Sequence, residues 1–183
     1  MPTASRYHPL SIGLHWLMAV LIVGIAAVGF VMDDLPQGAA KFAAFNAHKL
    51  VGVVVLALVI VRLGWRRRHA PPPLETAIGW QHAAARAAHG LLYAAMIAMP
   101  VSGLLFTNFG KGIRIFGVAI APIGGANEAL SHLFKDVHEA TAIALVALVG
   151  AHVAAALWHH FVRRDATLAR MLPQGAGASR AIA

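Results

Sequence analysis

Four stretches of this chain stay apolar for the length of a membrane crossing, at about residues 10–32, 42–64, 80–106 and 137–162. A hydrocarbon core of about 30 Å needs about 20 helical residues. Backbone groups in lipid must pair within their own segment, so runs of Leu, Val, Ala and Ile without alternation are helices and not barrel strands. Of the 183 residues, 59% are hydrophobic and 12% charged, about half the charge of an ordinary soluble domain. The expected fold is all-α: one integral membrane domain over residues 1–183, built as a four-helix bundle. The first stretch contains His15 and Trp16 and lacks a small-residue cleavage site, so it reads as a retained span and not as a removed signal.

The connections agree with this division. Asp33-Asp34-Leu35-Pro36-Gln37-Gly38 is a polar turn, and Arg66-Arg67-Arg68-His69-Ala70-Pro71-Pro72-Pro73 is a basic cluster running into a stiff proline segment. The third connection, from Asn108 to about Phe134, is long and glycine-rich; it is expected to lie over the mouth of the bundle, with room for a short interfacial helix. Cytoplasmic loops retain Lys and Arg. The larger basic set (Arg6, Arg62, Arg66, Arg67, Arg68, Arg86, Arg163, Arg164, Arg170, Arg180) falls on one side, with Glu75 and Asp165. The smaller set (Lys41, Lys49, Lys111, Arg114, Lys135) falls on the other, beside Asp33, Asp34, Glu128, Asp136 and Glu139. Both termini are therefore expected in the cytoplasm. The net charge of +8 lies next to apolar runs, which suits an anionic lipid surface; no nucleic-acid partner is expected.

The chain has no Cys and 11 His. Without Cys there are no disulfides, thiolate sites or C-x-x-C-H haem attachments, so any haem is held non-covalently. Ionisable groups inside a membrane helix are costly and need a partner or a task. His15 lies in the first span toward the cytoplasmic side, and His48 in the second toward the outer side. His138 and His152 share the fourth, 14 residues apart, which places them within about 40° of one helix face and about 21 Å apart along the axis. Depth pairs His15 with His152 and His48 with His138. Two neutral imidazoles with no thiolate or carboxylate at their level suit haem iron, whose porphyrin supplies the other four nitrogens. The arrangement predicts two b-type haems stacked across the bilayer. Gly24, Gly52, Gly103 and Gly150 could give flat macrocycles room.

Other residues have plainer readings. A lone intramembrane His is more often a hydrogen-bonded core group than a ligand, and His89 is the rival ligand or a pocket residue. His82, His159 and His160 lie near the cytoplasmic boundary, the last two within reach of propionates, whereas His8, His69 and His132 fall in loops without a role. The arginine run Arg66 to Arg68 anchors topology, with Arg62 or Arg67 open as propionate partners. Met18, Met96 and Met99 read as packing.

Several segments resemble the bacterial cytochrome b561 family of inner-membrane dihaem cytochromes: Ser11-Ile12-Gly13-Leu14-His15-Trp16, His48-Lys49-Leu50-Val51-Gly52, Arg62-Leu63 before the proline-rich loop, Pro100-Val101-Ser102-Gly103, His138-Glu139, His152 through His160, and Arg164 through Pro173. Their order and spacing cover nearly the whole chain. The resemblance implies that His15, His48, His138 and His152 are the haem iron ligands. It also implies quinone-linked electron transfer at the inner membrane, with superoxide, oxidised to oxygen at the periplasmic face, as candidate donor. A non-catalytic cytochrome b subunit passing electrons from a hydrogenase or dehydrogenase to quinone is the alternative, and a His-lined ion transporter a third. The expected partners are membrane lipid, quinone and a small-molecule or protein electron donor. Whether the chain is itself an enzyme or a carrier stays open.

Overall fold

A computed structural model describes residues 6–69 and 79–173. The prolines Pro71 to Pro73, together with Glu75 and Arg180, lie outside those residues. Four helices form a membrane bundle: α1 Pro9–Val31, α2 Ala39–Arg68, α3 Gly79–Phe109 and α4 Glu128–Trp158. They run 23, 30, 31 and 31 residues, or about 35 to 46 Å at 1.5 Å per residue, and all four are apolar enough to span a membrane.

Helix α1 starts where the His8 side chain accepts from the Leu10 amide, with Pro9 in the first turn, a position where the missing N–H costs nothing. Helix α2 outruns its hydrophobic stretch because Arg66, Arg67 and Arg68 fill its last turn, where cations suit the helix dipole. Helix α4 begins at Glu128 and not near 137. The Asn127 side chain caps it by accepting from the Leu130 amide, and Glu128 complements its N-terminus. Those first turns carry Ser131, His132, Lys135 and Asp136, too polar for hydropathy to register, so His132 is helical and not in a loop.

The connection between α3 and α4 holds no short helix before α4. It is a hairpin of two strands, β1 Ile113–Ile115 and β2 Val118–Ile120, paired Ile113 to Ile120 and Ile115 to Val118. Phe116 and Gly117, at φ of 43° and 87°, make the tight turn whose left-handed residues match strand twist. Buried Asn46 accepts from the Phe116 amide at 2.7 Å, and buried Asn108 exchanges two hydrogen bonds with the Ile123 backbone. This hairpin marks one end of the bundle.

The first and last described residues meet at the other end. Trp16 Nε1 donates to the Met171 carbonyl at 2.7 Å, and Arg6 donates to the Leu172 carbonyl. Between them, α4 finishes in a π-helical turn, His159–Arg163, closed by Arg164 at a φ of 53°. Met18, Ile22, Val55, Val59, Leu92 and Leu145 form the buried apolar cluster in the body of the bundle. Helix α3 packs most closely on α4, and α1 on α2, whereas α4 makes no extensive backbone approach to α1 or α2.

Asp165 ties the terminal corner, accepting from His159 Nδ1 at 2.6 Å and from the Thr167 amide at 2.9 Å. Burial pushes this carboxyl up, but the hydrogen bonds from Thr167 and His159 outweigh it and hold the group below its usual 3.8. A carboxyl lowered by folding stabilises the fold above its unfolded value, and that contribution is lost as pH falls through the folded one. Thermal melts of detergent-purified protein should therefore weaken as pH drops below 3.8. Asp165→Asn should flatten part of that fall and cost about 1 kcal/mol at neutral pH. A variant with the parent's full pH dependence would overturn this role.

Candidate metal centres

The interior imidazoles lie at two levels. Toward the terminal end, His15 on α1 faces His152 on α4 with ring centres 6.1 Å apart and planes at 71°. Toward the hairpin end, His48 on α2 faces His138 on α4 at 6.1 Å and 73°. Leu145 is buried on α4 midway between His138 and His152, and with its cluster it separates the levels by apolar packing.

The geometry permits a direct test of fit. Two imidazoles on opposite sides of one metal, at about 2 Å per metal–nitrogen bond plus about 1 Å from nitrogen to ring centre, stand about 6 Å apart. Both pairs meet that spacing. Among the described residues, no three His, Asp or Glu side chains come together to hold a metal ion. A pair without a third protein ligand suits a metal that brings its own equatorial nitrogens.

Glycines make the hairpin-end pair possible. A Cβ on Gly29 would stand 2.9 Å from His48 Cε1, and one on Gly103 would stand 2.9 Å from His138 Cε1. Each imidazole therefore lies against bare backbone of the neighbouring helix. Gly24 and Gly150 have nothing within 4 Å, and Gly52 meets only Ile25, at 3.8 Å. Gly29 was not visible from sequence; only its helical register against His48 would have marked it.

The outer nitrogens are treated differently at the two levels. His138 Nδ1 is 2.9 Å from the Met99 carbonyl and 3.3 Å from Ser102 Oγ. Pro100, inside α3, brings no N–H to the helical ladder, which frees the carbonyl one turn earlier, at Met96, whereas the Met99 carbonyl also accepts from Ser102 Oγ at 2.9 Å. A donor bond from Nδ1 to that carbonyl fixes the tautomer and leaves Nε2 with its lone pair. His48 Nδ1 is buried without a well-formed hydrogen bond, the Ile25 carbonyl being the backbone acceptor it approaches. At the terminal level, Arg62 on α2 places Nη2 3.3 Å from His15 Nδ1 while its Nε donates to Tyr93 Oη at 3.0 Å.

The remaining candidates fall elsewhere. His89 on α3 lies beside His152, ring centres 5.5 Å apart. His159 bonds Asp165 and His160 is exposed. His8 caps α1, and His69 stacks on Trp65 at 3.7 Å. Met18 is buried in the apolar cluster, with Met96 and Met99 packed against it. Sequence reading missed Tyr93, Asn46, Asn108 and Ser131, whose roles depend on long-range partners.

The chain matches the sequence profile of the family described as prokaryotic cytochrome b561 over residues 6–174. It is 34% identical over 174 residues to the protein named cytochrome b561 homolog 2 of Escherichia coli K12, covering 93% of each chain. It is 30% identical to cytochrome b561 homolog 1 of the same organism, covering 93% of this chain and 98% of the relative. A Yersinia pestis protein named "Probable superoxide oxidase CybB" is 29% identical, with 94% and 99% covered.

Gly103→Ala and Gly29→Ala should each gain helix propensity, about 1 kcal/mol, yet displace an imidazole. The expected outcome is a haem-to-protein ratio below the parent's. Haem content equal to the parent's in both variants would show that the close approaches carry no constraint.

Proposed function

The chain belongs to the prokaryotic cytochrome b561 family, whose members are transmembrane electron-transfer proteins with b-type haem, and from that premise we propose a dihaem wire delivering electrons to membrane quinone. His15 and His152 hold one haem, and His48 and His138 the other. The observation carrying this reading is the repetition, at two depths on one helix, of an interhelical imidazole pair at a ring-centre distance of 6.1 Å.

Held by His15 with His152 and by His48 with His138, bound haem would supply a one-electron ferric–ferrous couple suited to electron transfer and not to bond-breaking chemistry. The chain's own residues do the rest. The Met99 carbonyl orients His138, and Gly29 and Gly103 let their imidazoles lie close to the helices. Val55, Val59, Leu92 and Leu145 keep water out between the levels. Electrons can cross such a layer while protons cannot, so the two sides stay chemically separate.

The arginine-rich terminal end faces the cytoplasm in this reading, and the hairpin end faces the periplasm. Superoxide is the proposed donor there: two superoxide anions each give one electron and leave as oxygen, while one quinone takes both electrons and two protons to become quinol. Support for superoxide comes from the name of the Yersinia pestis relative and from Lys49 and Arg114, which lie together at the hairpin end, Lys49 Nζ donating to the Arg114 carbonyl. Lys135 contributes less, because Glu139 pairs with it.

Purified protein should show a b-type reduced-minus-oxidised spectrum with two haems per chain. Superoxide should reduce it faster than free haem, and added quinone should reoxidise it. His152→Ala should halve the haem ratio and sparing of the hairpin-end haem should follow. Colourless protein would sink the haem assignment, whereas a dihaem protein inert to superoxide but reduced by another donor would sink only the donor.

A further inference from the structure

Charge is distributed unequally around the two imidazole levels. At the terminal level, among the described residues, the charged side chains acting on His15, His89 and His152 are arginines, Arg62 and Arg66. Arg62 stands closest, with Nη2 3.3 Å from His15 Nδ1. It is held from behind by Tyr93 Oη at 3.0 Å, and Arg66 lies over the same tyrosine ring at 6.0 Å from its centre. At the hairpin level the signs are mixed: Lys49 and Asp33 act on His48, and Glu139 acts on His138. The His138 Nδ1 there faces a neutral carbonyl.

A fixed cation favours whichever state of a neighbouring centre carries one more electron. A carbonyl accepting from the ligand's outer N–H acts the other way, making the imidazole more basic and favouring the oxidised metal. We infer that Arg62, positioned by Tyr93, sets the direction of electron flow by holding the terminal-end haem at a higher reduction potential than the hairpin-end haem. This rests on the ligand assignment proposed above and goes beyond it by giving the wire a slope. One electron leaves the hairpin-end centre, which is oxidised, and arrives at the terminal-end centre, which is reduced.

The contact between Arg62 and His15 limits what the arginine can be. Binding iron through Nε2 places the His15 proton on Nδ1, and Arg has donors only. Two donors then face each other. Arg62 thus acts on the loaded ligand as a charge, and its directional bond is the one to Tyr93.

The test is a redox potential for each centre in the full-length, haem-loaded protein, the two signals being assigned from His152→Ala and His138→Ala. In the parent, the terminal-end haem should reduce first. Arg62→Gln should lower that centre's reduction equilibrium at least tenfold, 59 mV for one electron, and leave the hairpin-end value in place. Arg62→Lys, keeping the charge, should recover most of the difference. Tyr93→Phe should shift the same centre in the same direction by less. If Arg62→Gln sheds its haem, the comparison of Arg62→Lys and Tyr93→Phe with the parent still decides. A hairpin-end haem that reduces first, or a terminal-end potential indifferent to the loss of charge, overturns the inference while two haems per chain leave the proposed function standing. A parent protein without two haems overturns that function itself.

Discussion

An imidazole in hydrocarbon must find partners for two nitrogens where water supplies none, and the bundle is arranged around that demand, answered most fully at His138, whose Nδ1 reaches the Met99 carbonyl. Helix α4 carries one member of each pair, His138 and His152, on nearly one face. Because one continuous helix sets both, its register fixes the two levels together. The opposing imidazoles come from α1 and α2, which pack on each other and stay apart from α4. The space across which the rings meet is thus defined by helices that do not close upon one another.

The two ends secure this spacing by different chemistry. At the hairpin end, buried amides do the work: Asn46 and Asn108 bond loop backbone, and Ser131 donates to the Phe106 carbonyl. Such groups fix position without adding charge. At the terminal end, indole and guanidinium groups of Trp16 and Arg6 grip the carbonyls of Met171 and Leu172, and arginines dominate the electrostatics. A neutral, amide-built end and a cationic end, separated by the apolar cluster around Val59 and Leu145, give a symmetric ligand pattern an asymmetric field.

Much of this was legible in the sequence because spans and buried histidines are local signals. Hydropathy located the four long helices among the described residues, and depth within the spans paired residues as distant as His15 and His152. What stayed hidden was whatever depends on two distant segments meeting. The start of α4 at Glu128 was lost because its first turns are polar and its cap is a single Asn. The hairpin at 113–120 was lost because short strands beside glycines resemble any loop. Gly24, Gly52, Gly103 and Gly150 were equal candidates in the sequence and Gly29 was not among them, yet Gly29 and Gly103 are the glycines whose added Cβ would meet an imidazole.

Helix α3 explains why ligand counting captures half of such a site. Its His89 lies beside His152, yet α3 is packed directly against α4. His89 therefore approaches from a neighbouring helix, whereas His15 approaches from the far side of the gap. The contribution of α3 lies one layer out: the Met99 carbonyl and Ser102 hydroxyl against His138, bare backbone at Gly103, and Tyr93 behind Arg62. These groups choose a tautomer, a ring position and a charge position. Under the proposed ligand set α3 gives no bond to a metal, and its part is to fix what surrounds the imidazoles that do.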